Sequence, residues 1–290
     1  MVGRDGRPLG ALGPPGFYAT PRISPDGKKI AFSQYESGAS ANDIWIADLE
    51  YDRRFRFTQT SGIYLSPQWS HDASRIVFTC ERGSTGDLCV KSLVEAGDVK
   101  LLYASPTWSV PGSFLPGDRS MMFFEQDPQT QKDIKILSLD GQGEPRVFLK
   151  TPADEDNPEA SRDGGWVAYT SNETGRGEVY VRASSGNYQQ WQISSAGGSQ
   201  PRWRADGKEL FYLARDGNVM SAAIEVSPVF RPGTPKALFK LPTTPDRDTP
   251  VFEDVTPDGQ RMLLNVPVTE LSSVGFDVIL NWSELLKTKE

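Results

Sequence analysis

Six copies of one short phrase run the length of this 290-residue chain: a lead-in that usually carries proline, a four-residue polar turn, and an apolar run. The phrase reads ATPRISPDGKKIAFS from Ala19, LSPQWSHDASRIVFT from Leu65, SVPGSFLPGDRSMMFFE from Ser109, DNPEASRDGGWVAYTS from Asp156, SQPRWRADGKELFYLA from Ser199 and VFEDVTPDGQRMLLNV from Val251. With the third turn position as marker, the copies fall at Asp26, Asp72, Gly117, Asp163, Asp206 and Asp258, a spacing of about 46 residues. Self-similarity at that period means a solenoid or a propeller, in which each unit buries its apolar faces against its neighbours.

Each copy has room for four strands. The first ends at a turn such as Ser-Pro-Asp-Gly, where Pro presets φ, Asp bonds nearby backbone and Gly accepts a left-handed conformation. Ala73 replaces that glycine in the second copy, at an expected cost of about 1 kcal/mol, and the third copy inverts the order at Gly117 and Asp118. The second strand is almost wholly apolar, as suits a strand covered on both faces by neighbouring units. Third strands follow from Asp43, Asp87, Asp133, Glu178 and Phe276, with a weaker one from Asn218 in the fifth copy. Short fourth strands begin at Phe55, Lys100, Arg146, Gln190 and Ala237. The pattern predicts an all-β, six-bladed β-propeller of four-stranded antiparallel blades, one domain over residues 1–290, with blades starting near residues 17, 63, 107, 154, 197 and 248. The sixth copy lacks a fourth strand, and a spare strand, Arg7 to Gly13, precedes the first copy. The expected closure pairs that N-terminal strand with Phe276 to Trp282 of the last blade.

On these residues the chain resembles the TolB-like (WD-repeat-like) β-propeller family of bacteria over nearly its whole length. The stretch GRGEVYVRASSGNYQQWQISSAGGSQPRWRADGKELFYLA from Gly175 and the stretch PDGQRMLLNVPVTELSSVGFDVILNW from Pro257 resemble the propeller at the C-terminus of certain bacterial serine/threonine protein kinases. The opening GRDGRPLGALGPPGFY resembles the segment where that propeller begins. The resemblance implies a non-catalytic sensory module that binds a protein, a peptide or a small molecule and sits outside the cytoplasm beside a signalling domain. A freestanding interaction scaffold of the cell envelope is the alternative. No kinase motif occurs in the chain, and the blade motif identifies a fold more than a function.

Composition removes several classes. A formal net charge of −7 and a pI near 5.0 argue against a nucleic-acid or anionic-membrane surface. No stretch approaches the roughly 20 apolar residues of a membrane helix, and no apolar signal core opens the chain, so the cytoplasm stays open beside the extracytoplasmic location that the resemblance implies. The one histidine, His71, sits in a tight turn and reads as a surface turn residue rather than a catalytic base; it also leaves no basis for a histidine metal cluster. No Gly-x-Ser-x-Gly occurs. With 38 Asp and Glu, a glycosidase-type carboxylate pair stays open as the enzymatic alternative. Cys80 and Cys89 read as two small buried hydrophobes, or as a cross-strand disulfide if the compartment is oxidising. The expectation is a monomer with no cofactor and no metal.

Candidate binding residues are placed at the channel mouth formed by the lead-ins. Asp154, Glu155, Asp156 and Glu159 make an acidic knot suited to a cation or a basic ligand, or to a solvated loop. Tyr18, Tyr64, Trp108 and Phe252 occupy matching lead-in positions; they suit stacking on a ligand, or packing between blades. Gln200 joins them in the fifth copy. Arg202 and Arg204 read as ion-pairing strand residues rather than anion ligands. The tight turns mark one face as structural, whereas longer loops from Gln34, Glu125, Pro242 and Pro267 mark the other as the binding face.

Overall fold

The lead-ins become the innermost strands of six antiparallel sheets, and the apolar runs become the second strands behind them. The computed structural model describes residues 1–266 apart from 36–40, 52, 60–61, 141–142, 187–188, 227–228 and 243–250. Blade one is Phe17–Ile23, Lys29–Tyr35, Asn42–Asp48 and Arg53–Arg56. Blade two is Tyr64–Trp69, Arg75–Arg82, Thr85–Ser92 and Lys100–Tyr103, and blade three is Ser109–Phe114, Ser120–Asp127, Gln131–Ser138 and Arg146–Leu149. Blade four is Glu155–Ala160, Trp166–Ser171, Glu178–Ala183 and Gln190–Gln192. Blade five is Gly198–Trp203, Glu209–Ala214, Asn218–Glu225 and Lys236–Lys240, with Arg231–Pro232 on the free end of its third strand. Blade six contributes Val251–Val255 and Arg261–Asn265. The chain is a six-bladed propeller of antiparallel sheets in meander order.

Six apolar cores fill the seams between blades, which is why the second strands are apolar on both sides. Ala31, Ile44 and Ile46 of blade one meet Trp69, Ile76 and Phe78 of blade two. The last seam packs Leu263 of blade six against Ile23, Ile30 and Phe32 of blade one, so the cores run round a closed ring. Each second strand carries a fully or almost fully buried triplet or pair, such as Ile76–Val77–Phe78 and Leu210–Phe211–Tyr212. The turn aspartates behave as their chemistry requires. Asp72 accepts from Ser70 Oγ at 2.6 Å and from the Ser74 amide at 2.9 Å, and these bonds hold its pKa down to about 2. Ala73 takes the left-handed conformation (φ 55°) and Asp118 does the same (φ 56°), as the sequence requires at those positions.

Four details differ from the sequence reading. The N-terminal strand that joins the last blade is Val2–Gly3, paired with Met262 and Arg261. The expected pairing of Arg7 to Gly13 has its partner, Phe276 to Trp282, outside the described residues. The third strand of blade five, expected to be weak, runs eight residues, because its small residues Ser221 and Ala222 pack closely behind Leu210 and Phe211. The segment from Glu125 is a tight hairpin with pairing as far as Asp127 and Gln131, whereas the loops from Gln34, Pro242 and Pro267 lie largely outside the described residues. Cys80 and Cys89 form a disulfide with a Cα separation of 5.9 Å. The reading as two free buried thiols is corrected: their strands pair Cys80 with Asp87 and Phe78 with Cys89, which sets the two sulfurs on a diagonal of one sheet face.

Candidate functional site: the propeller axis

Every inner strand is bent at the same place. Its pairing with the second strand skips between Ala19 and Arg22, Leu65 and Gln68, Pro111 and Phe114, Asp156 and Glu159, Ser199 and Arg202, and Phe252 and Asp254. In four blades the bend residue is left-handed: Thr20 (φ 48°), Ser66 (54°), Asn157 (51°) and Gln200 (54°), each followed by proline. Proline has no N–H to lose where the ladder is interrupted, so the sequence puts it where a bulge leaves no donor stranded.

Past the bend, each blade delivers one polar residue to the axis: Arg22, Gln68, Ser113, Glu159, Arg202 and Asp254. They line an axial cavity of about 140 Å³, whose rim includes turn residues Ser24, His71, Arg162, Arg204 and Pro257. The concavity therefore opens among the tight turns. Arg202 is the most deeply set member. Its Nε donates to the Glu253 carbonyl at 2.9 Å and its Nη1 to the Pro201 carbonyl at 2.7 Å. Asp254 lies 3.7 Å and Glu159 4.0 Å from its guanidinium nitrogens. Burial lowers the Arg202 pKa to about 10, with Arg22 adding to the effect. Burial also raises Glu159 to about 7, against the pull of Arg202 and Arg22. Asp254 accepts the Ile23 amide of blade one at 2.8 Å, and Arg22 returns a hydrogen bond to the Glu253 carbonyl, so the axis is stitched across the last seam.

The residues chosen from sequence separate into different environments. Phe252 is fully buried in the seam between blades five and six, and Tyr64 is buried in the seam between blades one and two. Tyr64 packs edge-on to Phe78 at 5.3 Å, and Tyr18 packs edge-on to Phe32 at 5.4 Å with its hydroxyl donating to the Pro14 carbonyl. Trp108 is half-buried and covers Gly86, where an added Cβ would meet the indole at 2.8 Å. Gln200 is half-buried at its bend, and its Oε1 finds no partner among the described residues. The acidic knot does not act as one group. Asp156 and Asp154 pair with Lys132 at 2.9 and 3.5 Å; burial works against the ammonium, but the two carboxylates leave its pKa raised. Glu155 is fully buried, accepts from Thr151, and is pushed up to about 7 by burial, with Asp133 and Glu173 adding repulsion. Glu159 belongs to the axis.

His71 is not a solitary turn histidine. Its Nδ1 lies 2.7 Å from Asp118 Oδ1 of the next blade, and Asp118 Oδ2 takes the Asp72 amide, so the pair ties two turns together. Arg204 is the ion-pairing residue expected, bound to Asp206 at 2.7 Å and to Glu209 at 3.0 Å. No group of three or more His, Cys, Asp or Glu able to hold a metal occurs among the described residues. The axial set was missed from sequence apart from Glu159 and Arg202. A signal for it exists: all six lie four residues ahead of the turn marker in their copies, in a column whose chemistry changes at every blade.

No family model matches the chain. Among solved structures it is similar to a TolB-type protein of Agrobacterium tumefaciens, at 18% identity and a TM-score of 0.66 over 79% of this chain and 82% of that one. TolB from Acinetobacter baumannii gives 18% identity and a TM-score of 0.62 over 78% of this chain and 58% of that one. An oligogalacturonate lyase solved with manganese gives 16% identity and a TM-score of 0.53 over 82% of this chain and 67% of that one. At these identities the likeness is one of fold, and the fold is the TolB-like six-bladed propeller, a scaffold that serves both binding proteins and enzymes.

Proposed function

We propose that this propeller is a non-catalytic binding module that receives a protein, peptide or small-molecule partner at its channel and, as in the kinase-linked propellers it resembles, serves as the sensory part of a signalling protein outside the cytoplasm. The axial ring carries the reading: six matched positions hold six polar side chains, two of them arginines, where a structural channel needs only small or apolar filler. The Cys80–Cys89 disulfide supports an oxidising compartment. A freestanding envelope scaffold is the second reading, supported by the 82% span of the Agrobacterium protein.

The test is capture by the immobilised chain from an envelope extract and from a metabolite library, followed by mapping. Trp108→Ala and Asp156→Asn report the lead-in mouth; Lys28→Glu and Lys208→Glu report the turn face. Loss of an aromatic anchor at the contact weakens binding about tenfold or more, and loss of a rim charge flattens the salt response. The expected result is saturable binding without turnover that one mouth's variants weaken. Cleavage of a glycoside, peptide or ester by the purified chain, abolished by Glu159→Gln or His71→Ala, would overturn the non-catalytic reading.

A further inference from the structure

The axial cavity is lined by more guanidiniums than carboxylates. Four arginines line it: Arg22, Arg162, Arg202 and Arg204. Arg204 is closed off by Asp206 and Glu209. The other three face Glu159 and Asp254, both within 4.0 Å of Arg202, and the buried Glu253 carboxylate interacts with Arg22 and Arg202 from behind the lining. Arg22 gives one bond to the Glu253 carbonyl and forms no ion pair among the described residues. Arg162 is exposed at the rim, with neither hydrogen bond nor ion pair among them. The remaining titratable side chain at the rim, His71, is hydrogen-bonded to Asp118.

Neutral donors complete the set. The Gln68 carboxamide makes no hydrogen bond among the described residues. Ser113 Oγ accepts the Ala160 amide at 2.7 Å, which leaves its hydroxyl proton free to donate. A cavity whose unspent groups are guanidinium, carboxamide and hydroxyl donors, in a chain of net charge −7, is built for an anion. The charge balance limits which anion. Three carboxylates, Glu159, Glu253 and Asp254, already offset Arg22, Arg162 and Arg202, so a second negative charge on the anion brings added repulsion, and a monoanion suits the site better than a phosphate dianion. Guanidinium forks match carboxylate and phosphate oxygens alike, so it is charge that favours the carboxylate.

We propose that the tight-turn end of the channel is a carboxylate site, in which Arg22 and Arg162 hold the anion with Gln68 and Ser113 as neutral donors. The carboxylate comes from a peptide C-terminus or from a small organic acid. The assignment rests on the binding role proposed above and names the ligand chemistry of that channel.

The experiment follows the arginine Nε–Hε resonances of the full chain during titration with sodium acetate at constant ionic strength, with sodium chloride as the reference. Saturable shifts at Arg22 and Arg162 with acetate, absent with chloride, are expected. Arg162→Gln should weaken acetate binding about tenfold, while Arg119→Gln, exposed and outside the cavity, should leave it unchanged. Arg162 is the primary variant because its side chain makes no hydrogen bond or ion pair among the described residues; Arg22→Gln also removes a bond to the Glu253 carbonyl. Triglycine as the free acid and as the C-terminal amide distinguishes the sources. Free acid at least tenfold tighter than acetate, with the amide silent, supports a peptide terminus, whereas equal binding of free acid and acetate supports a small acid. Equal shifts with chloride, amide binding as tight as free acid, or wild-type affinity in Arg162→Gln overturns the site. A partner captured equally by wild type and Arg162→Gln keeps the binding role and overturns only the anion site.

Discussion

Arg4 grips Glu209 across 205 residues of chain: its Nη2 donates to Oε1 at 2.6 Å and its Nη1 to Oε2 at 3.1 Å. The same Nη1 reaches the Gly259 carbonyl of blade six at 3.0 Å, and the guanidinium lies over the Phe211 ring. Two residues earlier, Val2 pairs with Met262. The N-terminus thus clamps blades five and six together, and a forked pair over an aromatic face is a stronger device than a two-residue strand alone.

Arg4→Ala should therefore lower stability by about 2 kcal/mol, in the range for hydrogen bonds to charged groups. Arg7→Ala is the control: Arg7 pairs with Asp5 in full solvent exposure, a contact worth well under about 1 kcal/mol. Urea titration measures both. Equal effects from the two variants would remove Arg4 as the clasp. Deleting residues 1–6 should cost more than Arg4→Ala, since it also bares the edge of the Arg261–Asn265 strand.

Glu155 sets a pH dependence with a definite sign. Its carboxyl is raised in the folded chain to about 7, so its contribution favours folding below the unfolded value and is lost as pH rises through 7. Glu155→Gln keeps an acceptor for Thr151 and removes the charge. The variant should match wild type near pH 5 and exceed it at pH 8 by on the order of 2 kcal/mol. Calorimetry at the two pH values decides the matter, and a gain at pH 5 as large as that at pH 8 would contradict it.

The Cys80–Cys89 bridge closes a short loop, for which chain entropy predicts about 2–3 kcal/mol of stabilisation. Reduction, or the Cys80→Ala and Cys89→Ala pair, should lower Tm by several degrees without unfolding the ring. An unchanged Tm under reducing conditions would mean that the bridge adds nothing to the native state.

His71→Ala should cost about 1–2 kcal/mol, because it leaves Asp118, itself buried, without one of its partners. Thermal melts of His71→Ala against Lys28→Ala, a solvent-exposed change near another tight turn, test this. Equal melts would return His71 to the role of a bare turn residue.

The turns and second strands were legible in the sequence because each repeats one local rule. Ser70, Asp72 and Ser74 close their turn within five residues, and Ile76 to Phe78 need only a seam on either side. The axial ring was not, because its members share a position and not a chemistry, and only the repeat register aligns Arg22 with Asp254. The buried acids at the third strands were also in plain view but unread. Asp43 takes its bond from Thr58 and Glu178 from Ser194, partners 15 and 16 residues away that periodicity does not point to. The aromatic lead-ins stood open between stacking on a ligand and packing between blades, because position in the repeat does not say which way a ring points; Tyr64 and Phe252 fill the seams beside them.

Trp69 Nε1 donates to the Arg22 carbonyl at 3.0 Å, and Trp203 Nε1 donates to the Glu159 carbonyl at the same distance. In both seams the lock closes on the main chain of a ring residue and ignores its side chain. Scaffold and lining are therefore written in separate alphabets: the indole reads a carbonyl that every amino acid carries, while the group facing the axis is free to change. A lineage can exchange arginine for glutamate or serine at such a position and alter what the channel accepts, without reopening the question of how the blades are held together.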